Sequence, residues 1–133
     1  MVRLYGTNQW SNPPGVINPS WQCAVDGASV PPSPINSSVP NNGVLFCEKD
    51  GLSDGTHVIT LNATVAHQQT FWFDYIEYVP TSSVSLDQVP LFIYAGDSQF
   101  HYGEGWVAAL FPGGNLTGQT GSTFSFQFNG DFY

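Results

Sequence analysis

The most aromatic stretch of the sequence is residues 71–79, which read FWFDYIEYV, and this stretch decides the fold class. Aromatic and β-branched residues are enriched in strands, and the stretch contains no Gly or Pro. A second stretch, residues 123–128 (TFSFQF), alternates phenylalanine with polar residues, so its three phenylalanines share one face of a strand. Neither stretch shows the 3.6-residue period of a helix. The sequence therefore predicts an all-β protein.

Shorter segments of the same kind lie on both sides of these two stretches, separated by Gly, Pro, Asn and Asp. The predicted strands are residues 2–7, 21–26, 44–48, 57–64, 71–79, 91–94, 106–111 and 123–128. The proline-rich residues 27–43 are predicted to form a long loop. With 14 Gly and 10 Pro in the chain, long helices are disfavoured. Some eight short strands at this spacing favour a β-sandwich or jelly roll.

The composition excludes several classes of partner. The chain has 133 residues, one domain's worth, with 2 Lys plus Arg against 10 Asp plus Glu and a formal charge of −8. Nucleic-acid binding and docking on anionic lipid both need a basic face, so both are disfavoured. No apolar run is long enough to span a membrane, and we expect no membrane insertion.

The two cysteines and three glycosylation sequons favour a secreted protein. Cys23 and Cys47 would be free core residues in an intracellular protein, but a disulfide between them would contribute about 3 kcal/mol in an oxidising compartment. The sequons begin at Asn36, Asn62 and Asn115, and we expect N-glycosylation there.

Residues 80–90 (PTSSVSLDQVP) contain no aromatic residue and are interpreted as a linker between residues 1–79 and 91–133. The segment 128–130 (FNG) predicts a tight turn close to the end of the sequence. We expect the strand at residues 2–7 to pair with the 123–133 region, in the same chain or in a partner, because both would otherwise be exposed edges.

Seven short motifs occur along the chain. They are Asp97 with Tyr102, Gly105-Trp106, GSTFSFQFNG at 121–130, VRLYGT at 2–7, CAVDG at 23–27, LSDGTH at 52–57 and FWFDYIEYVP at 71–80. Taken in that order, with residues 91–133 before residues 1–79, they resemble a galactose-binding-like (jelly-roll) β-sandwich module common in secreted proteins of mushroom-forming fungi. The resemblance covers nearly the whole chain.

The resemblance implies a single jelly-roll sandwich over residues 1–133 that is circularly permuted or half-exchanged. Residues 1–79 would be the C-terminal half of the module and residues 91–133 the N-terminal half. The halves could meet within one chain, or between two chains in a homodimer. Some small mushroom glycoproteins are immunomodulators, and the size and sequons of this chain are compatible with one.

The titratable residues offer little for catalysis. Asp74 and Glu77 are three apart on a predicted strand, so they are expected on opposite faces and not as a glycosidase pair. Asp74 is interpreted as a buried hydrogen-bond acceptor, with a calcium ligand as the less favoured alternative. His57, predicted to be a turn residue, has no ligand-spaced partner histidine, and no metal or cofactor is expected.

Aromatic residues are the remaining candidates for a binding site, because indole and phenol rings stack on the apolar faces of sugars. Trp21 and Trp72 lie in predicted strands and are expected in the core. Trp10, in a polar loop, is one candidate for an exposed carbohydrate-binding residue. Asp97, Tyr102 and Trp106 form the second candidate cluster.

Together with the resemblance, which implies a fungal protein, the sequence favours a secreted glycoprotein that binds carbohydrate or a cell-surface partner and is not an enzyme. An interaction protein that recognises an immune-cell receptor without sugar affinity is the alternative. A hydrolase of cell-wall glycans is the weakest of the three interpretations.

Overall fold

The computed structural model describes residues 1–8, 19–34, 41–65, 69–80, 89–110 and 114–130, and these form an all-β sandwich of two antiparallel sheets. Its strands are β1 (Val2–Asn8), β2 (Ser20–Val25), β3 (Ala28–Val30), β4 (Asn41–Lys49), β5 (Gly55–Thr64), β6 (Phe71–Tyr78), β7 (Leu91–Tyr94), β8 (Phe100–Tyr102), β9 (Trp106–Ala108), β10 (Asn115–Thr117) and β11 (Thr123–Gly130). The all-β prediction is confirmed, and the described residues contain no helix. Accordingly, none of them forms a helix that is long and apolar enough to cross a membrane.

The six-stranded sheet has the order β4-β1-β6-β10-β9, and β7 also pairs with β6. The first half of β6 pairs with β10 and its second half with β7, while β1 lies along its other edge. The five-stranded sheet has the order β3-β2-β5-β11-β8. The aromatic strand β6 is therefore central to the first sheet.

The core lies between the two sheets and is built from alternate residues of the long strands. β1 contributes Val2 and Leu4, and β6 contributes Phe71, Phe73 and Ile76. From the opposite sheet, the buried residues include Ile59, Leu61 and Ala63 of β5 and Phe124, Phe126 and Phe128 of β11. The predicted shared face of the three phenylalanines is thus confirmed.

A disulfide joins the two sheets at one side of the sandwich. It links Cys23 of β2 to Cys47 of β4, as the sequence predicts, and both cysteines are buried. Trp21 packs beside it on Phe46 with ring centroids 4.3 Å apart, and its indole Nε1 donates to the Phe46 carbonyl at 3.1 Å. The expectation that Trp21 packs against the core is confirmed.

Several predicted boundaries were wrong. Residues 27–43 are not one loop, because the Asp26-Gly27 turn folds β3 back on β2 and β4 already begins at Asn41. Both turn residues have positive φ (51° and 77°), which suits the two-residue hairpin turn that Asp-Gly favours. β8 and β10 were missed because three-residue strands give too little alternation to detect.

The predicted pairing of the strand at residues 2–7 with the 123–133 region is wrong for its described part, residues 123–130. β1 pairs with β4 and β6, whereas β11 pairs with β5 and β8 in the other sheet. The apolar side of β1 is buried on this path, and both edges of β11 are already used. The predicted turn is also wrong in that β11 runs through Asn129 and Gly130, while residues 131–133 lie outside the described part.

Residues from both sides of the proposed linker pair within one chain. β6 pairs with β7 and β10, and β5 pairs with β11. The Met1 carbonyl accepts a hydrogen bond from the Val79 N–H at 3.1 Å, and Pro80 forms a bridge with Gly130. The jelly-roll topology, the permuted order and the homodimer stay predictions, as does the linker, of which residues 81–88 lie outside the described ranges.

Candidate functional site

A β-bulge in β6 determines which side chains reach the outer face of the six-stranded sheet. Gly6 pairs with Phe73 and Tyr5 pairs with Tyr75, so no residue of β1 lies opposite Asp74 in the strand register. Such an extra residue shifts the alternation of the strand by one position. As a result both Asp74 and Tyr75 point outwards, and Glu77 follows Tyr75 on the same face.

The prediction that Asp74 and Glu77 lie on opposite faces is therefore wrong. Asp74 contacts Thr7 and Glu77 contacts Tyr5, and both partners lie on the outer face of β1. In a regular strand, residues three apart point to opposite faces. The bulge adds one residue to β6, so Asp74 and Glu77 point to the same face. The placement of Trp72 in the core is also wrong, because Phe71 and Phe73 take the inward positions and regular alternation turns Trp72 outwards.

The outward residues of three neighbouring strands form an aromatic row. Tyr94 of β7 pairs with Tyr75 of β6, and Tyr75 pairs with Tyr5 of β1. The rings of Tyr5 and Tyr75 are stacked with centroids 4.7 Å apart, and the rings of Tyr75 and Tyr94 are 5.9 Å apart. Phe92 contacts the same row, with its ring 5.9 Å from Tyr75. We call these four residues the aromatic row.

The aromatic row is accessible from solvent. Tyr94 is 61% exposed and Phe92 is 54% exposed, while Tyr5 and Tyr75 are half-buried beneath and beside them. The outer face of the five-stranded sheet differs, because β11 presents Thr123, Ser125, Gln127 and Asn129 there. The outward residues of β11 are thus polar, whereas those of the aromatic row are aromatic. A general preference of aromatic residues for strands would apply to both sheets, so it does not explain the aromatic row.

A charged row runs beside the aromatic row. Glu77 of β6 pairs with Arg3 of β1, and Arg3 pairs with Glu48 of β4. The Arg3 guanidinium lies 2.5 Å from the Glu48 carboxylate and 3.9 Å from that of Glu77. The hydrogen bond with Glu48 is the main reason that the pKa of Arg3 is raised. We call Glu77, Arg3 and Glu48 the charged row.

Glu77 connects the two rows. It is only 8% exposed, and it accepts a hydrogen bond from the Tyr5 hydroxyl at 3.0 Å. Burial, followed by this hydrogen bond, raises the pKa of Tyr5 to about 12. Tyr5 is therefore a neutral phenol at physiological pH and is not an activated nucleophile.

Asp74 is held on the other side of the aromatic row. Its carboxylate accepts hydrogen bonds from the Thr7 hydroxyl, at 2.9 Å, and from the Gly43 N–H, at 3.3 Å. Its interpretation as a hydrogen-bond acceptor is confirmed, although the side chain is half-buried. Burial raises the pKa of Asp74, and the two hydrogen bonds oppose that shift.

The residues expected to bind carbohydrate lie elsewhere. Tyr102 and Trp106 contact each other with ring centroids 5.3 Å apart and are half-buried at the margin of the core. The Tyr102 hydroxyl donates to the Ala95 carbonyl at 2.7 Å, and the Trp106 indole donates to the Thr123 carbonyl at 3.0 Å. Their polar atoms are thus used within the fold.

The other two predicted binding residues are Asp97 and Trp10. Asp97 is exposed in the turn after β7, where its carboxylate accepts from the Gln99 N–H at 2.8 Å. Trp10 lies outside the described residues. A glycan site built from Trp10, Asp97, Tyr102 and Trp106 stays a prediction.

The sequons differ in accessibility. Asn62 is exposed on the outer face of the five-stranded sheet. Asn115 is half-buried, and its Nδ2 donates to the Ala95 carbonyl at 3.1 Å. Asn36 lies outside the described residues. Glycosylation at the three positions stays a prediction, with Asn62 the best placed for it.

His57 is not a turn residue but a buried residue of β5. Its Nδ1 lies 2.7 Å from the Asp26 carboxylate and its Nε2 lies 2.7 Å from the Ser53 carbonyl. The hydrogen bond to Ser53 is the main reason that the pKa of His57 is raised. Across the residues that the structure describes, no group of three His, Cys, Asp or Glu side chains gathers at a point where it could hold a metal ion.

Sequence reasoning missed the aromatic row because it depends on pairing between distant strands. The available signal was the order Trp72, Asp74, Tyr75, Glu77, in which polar and amphipathic residues change from even to odd positions within one strand.

Comparison of the chain with protein-family models, curated proteins and solved structures finds no match.

Proposed function

We propose that the protein is a carbohydrate-binding module that uses the aromatic row of the six-stranded sheet as its binding surface. The observation that carries this proposal is the contact of four aromatic rings from three strands on an outer face, with Tyr94 and Phe92 more than half exposed. Exposed rings of this kind lose water contacts when the apolar face of a sugar covers them.

The surface is also organised for binding before a ligand arrives. Tyr75 is held between Tyr5 on one side and the rings of Tyr94 and Phe92 on the other. Glu77 fixes the Tyr5 hydroxyl. Because fewer side chains have to be ordered on binding, the entropic cost of association is reduced.

The charged row supplies polar groups next to the rings. Sugar-binding sites need hydrogen-bond partners for hydroxyl groups beside the apolar contact surface. Glu48 is partly exposed, and its carboxylate and the Arg3 guanidinium present acceptor and donor atoms along one edge of the aromatic row. The combination of stacking rings and adjacent polar groups favours sugar over a purely apolar ligand.

A non-catalytic function agrees best with the carboxylates of this face. Glu77 is occupied by Tyr5 and Arg3, and Asp74 is occupied by Thr7 and Gly43. Glycoside hydrolysis needs one carboxyl group to protonate the leaving group and another to attack or to activate water. Carboxylates already held by internal hydrogen bonds support binding rather than that chemistry.

We further propose that the protein is secreted, as its resemblance to fungal modules implies. The Cys23–Cys47 disulfide supports this proposal, because disulfides persist in oxidising compartments. The exposed Asn62 sequon is compatible with it.

The test is retention on a panel of insoluble neutral polysaccharides, followed by titration with soluble oligosaccharides. Tyr94→Ala and Phe92→Ala should each weaken binding at least tenfold. Val107→Ala is the matched control, because Val107 is 56% exposed and pairs through Leu116 with Trp72 on the same outer face, away from the aromatic row. Trp106→Ala tests the site expected from sequence.

Full retention by the Tyr94→Ala and Phe92→Ala double variant would contradict the site. If the wild-type protein binds no polysaccharide but binds a cell-surface protein through the same two residues, the receptor-binding alternative replaces the proposal. That alternative shares the observation, because exposed Tyr and Phe are also enriched in protein interfaces.

A further inference from the structure

We infer that the ligand of the aromatic row is an uncharged glycan chain, and that the charged row selects against acidic glycans. The inference rests on the proposed function and deepens it by naming the chemical class of the ligand. It is carried by the register of the two rows and by the balance of charge around them.

The register shows that the two rows run side by side across the strands. Tyr94, Tyr75 and Tyr5 are successive partners on β7, β6 and β1. Glu77 lies two positions after Tyr75 on β6. Its partner Arg3 lies two positions before Tyr5 on β1. A ligand that stacks on Tyr75 and Tyr5 therefore has the charged row along one edge, whereas on β7 the same edge is formed by Phe92, the partner of Glu77.

The length of the aromatic row suits several linked sugar rings rather than one. Tyr94 and Tyr5 are separated by two strand spacings, which is about 10 Å at the usual distance between neighbouring strands. The row lies on a sheet face, and Phe92 widens it at the β7 end. A single sugar would cover only part of this surface, whereas a chain could cover all of it.

The charge around the row is unfavourable for an anionic ligand. The charged row contains two carboxylates against one guanidinium, and the guanidinium is already paired with both. Asp74 adds another carboxylate on the opposite side of the tyrosines. An acidic sugar would therefore meet like charges on both sides.

No other basic side chain of the described residues compensates for this. Lys49 is the chain's only basic residue besides Arg3, and it alternates with Glu48 on β4, so it points to the opposite side of that strand. His57 is buried between the sheets and His101 lies on β8 of the other sheet. The formal charge of the whole chain, −8, adds to the repulsion.

The experiment compares a neutral polysaccharide that the protein retains with the carboxymethylated derivative of the same polymer. At low ionic strength the carboxymethylated polymer should bind at least tenfold more weakly. The difference should shrink in high salt, because salt screens repulsion between exposed charges. Equal or tighter binding of the carboxymethylated polymer at low ionic strength would overturn the inference and leave the proposed function intact.

Two variants test whether the charged row causes the weaker binding of the carboxymethylated polymer. Glu48→Gln removes one carboxylate of the charged row and should narrow the difference between the two polymers by roughly two- to fivefold, in the range of exposed charge interactions. Glu104→Gln makes the same chemical change in the exposed turn between β8 and β9 and should have no effect. If Glu48→Gln and Glu104→Gln have the same effect on the difference between the two polymers, the charged row does not select the ligand.

The requirement for a chain is tested by competition with the sugars from which the retained polymer is built. A tetrasaccharide fragment should displace the protein at least tenfold better than the free monosaccharide at equal molar concentration. Equal displacement would overturn this part of the inference. Failure of the wild-type protein to bind any neutral polymer would instead remove the proposed function, and the inference with it.

Discussion

Tyr5 of β1 lies face to face with Tyr75 of β6, with ring centroids 4.7 Å apart and ring planes within 20° of parallel. The Tyr5 hydroxyl also donates a hydrogen bond to the carboxylate of Glu77, which is a buried residue. One side chain thus supports the exposed aromatic surface through its ring and satisfies a buried carboxylate through its hydroxyl. The two contributions can be separated by substitution.

Tyr5→Phe should lower the free energy of unfolding by about 1 kcal/mol, because it removes the hydrogen bond to Glu77 and keeps the ring. Urea unfolding at pH 7 would measure this. Retention on polysaccharide should change less than in Tyr94→Ala, since the stack with Tyr75 remains. If Tyr5→Phe abolishes retention while unfolding is unchanged, the hydroxyl contacts the ligand and does not serve Glu77.

The Cys23–Cys47 disulfide should contribute about 3 kcal/mol to stability by restricting the unfolded chain, whose closed loop would hold 25 residues. The double variant Cys23→Ala, Cys47→Ala should therefore have a lower urea midpoint than the oxidised wild-type protein. The wild-type protein unfolded in the presence of a reductant is the control, and it should resemble the variant. Equal midpoints for the oxidised and reduced protein would contradict the prediction.

Gly6→Ala should lower the free energy of unfolding by roughly 1–3 kcal/mol, as overpacking of a core does. A Cβ at this position would collide with the Phe46 ring and with the Trp72 carbonyl, and the backbone carbonyl cannot move aside cheaply. Gly96→Ala is the matched control, because a Cβ there meets open space. Similar urea midpoints for Gly6→Ala and Gly96→Ala would show that β1 accommodates the added Cβ without loss of stability.

His57 makes stability depend on pH in a defined direction. Its pKa is raised in the folded protein, first by the hydrogen bond to the Ser53 carbonyl and also by Asp26, so the folded state binds the proton more tightly than the unfolded state. This contribution is fully present below the unfolded-state pKa of about 6.5 and is lost as the pH rises through the folded-state pKa.

The measurement for His57 is the urea midpoint between pH 5 and pH 8 for the wild-type protein and for His57→Gln. The wild-type midpoint should fall with rising pH relative to that of the variant. Asp26 has a lowered pKa, chiefly from the Val58 N–H, so its own contribution is lost only in more acidic solution. A His101→Gln variant, altered at an exposed histidine, should keep the wild-type profile.

Local sequence patterns predicted the long strands but not the aromatic row. The phenylalanines of β11 and the apolar residues of β5 alternate regularly, and their shared buried face follows from that alternation alone. The partner of β1 could not be read in this way, because pairing with β4 and β6 depends on which edges remain free after the other strands have paired. The aromatic row depends on the same non-local pairing, and also on the bulge at Asp74, so reasoning from single strands could not find it.

The bulged Asp74 gives the last prediction, in which a removed charge stabilises the protein. Burial is the largest influence on its pKa and raises it, so the ionised form is disfavoured in the folded state despite the hydrogen bonds from Thr7 and Gly43. A raised pKa means that the stabilising effect of protonation is present below the unfolded-state pKa of about 3.9 and is lost as the pH rises through the folded-state pKa. Asp74→Asn keeps the size of the side chain and one acceptor oxygen but carries no charge.

Asp74→Asn should therefore raise the urea midpoint at pH 7 relative to the wild-type protein, and the gain should disappear near pH 3. Asp97→Asn, an equivalent change in an exposed turn, is the control and should not reproduce that dependence on pH. A loss of stability at pH 7 in Asp74→Asn would mean that the hydrogen bonds to the charged carboxylate outweigh its burial. Because Asp74 flanks the aromatic row, the same variant should also bind the carboxymethylated polymer more strongly than the wild-type protein does.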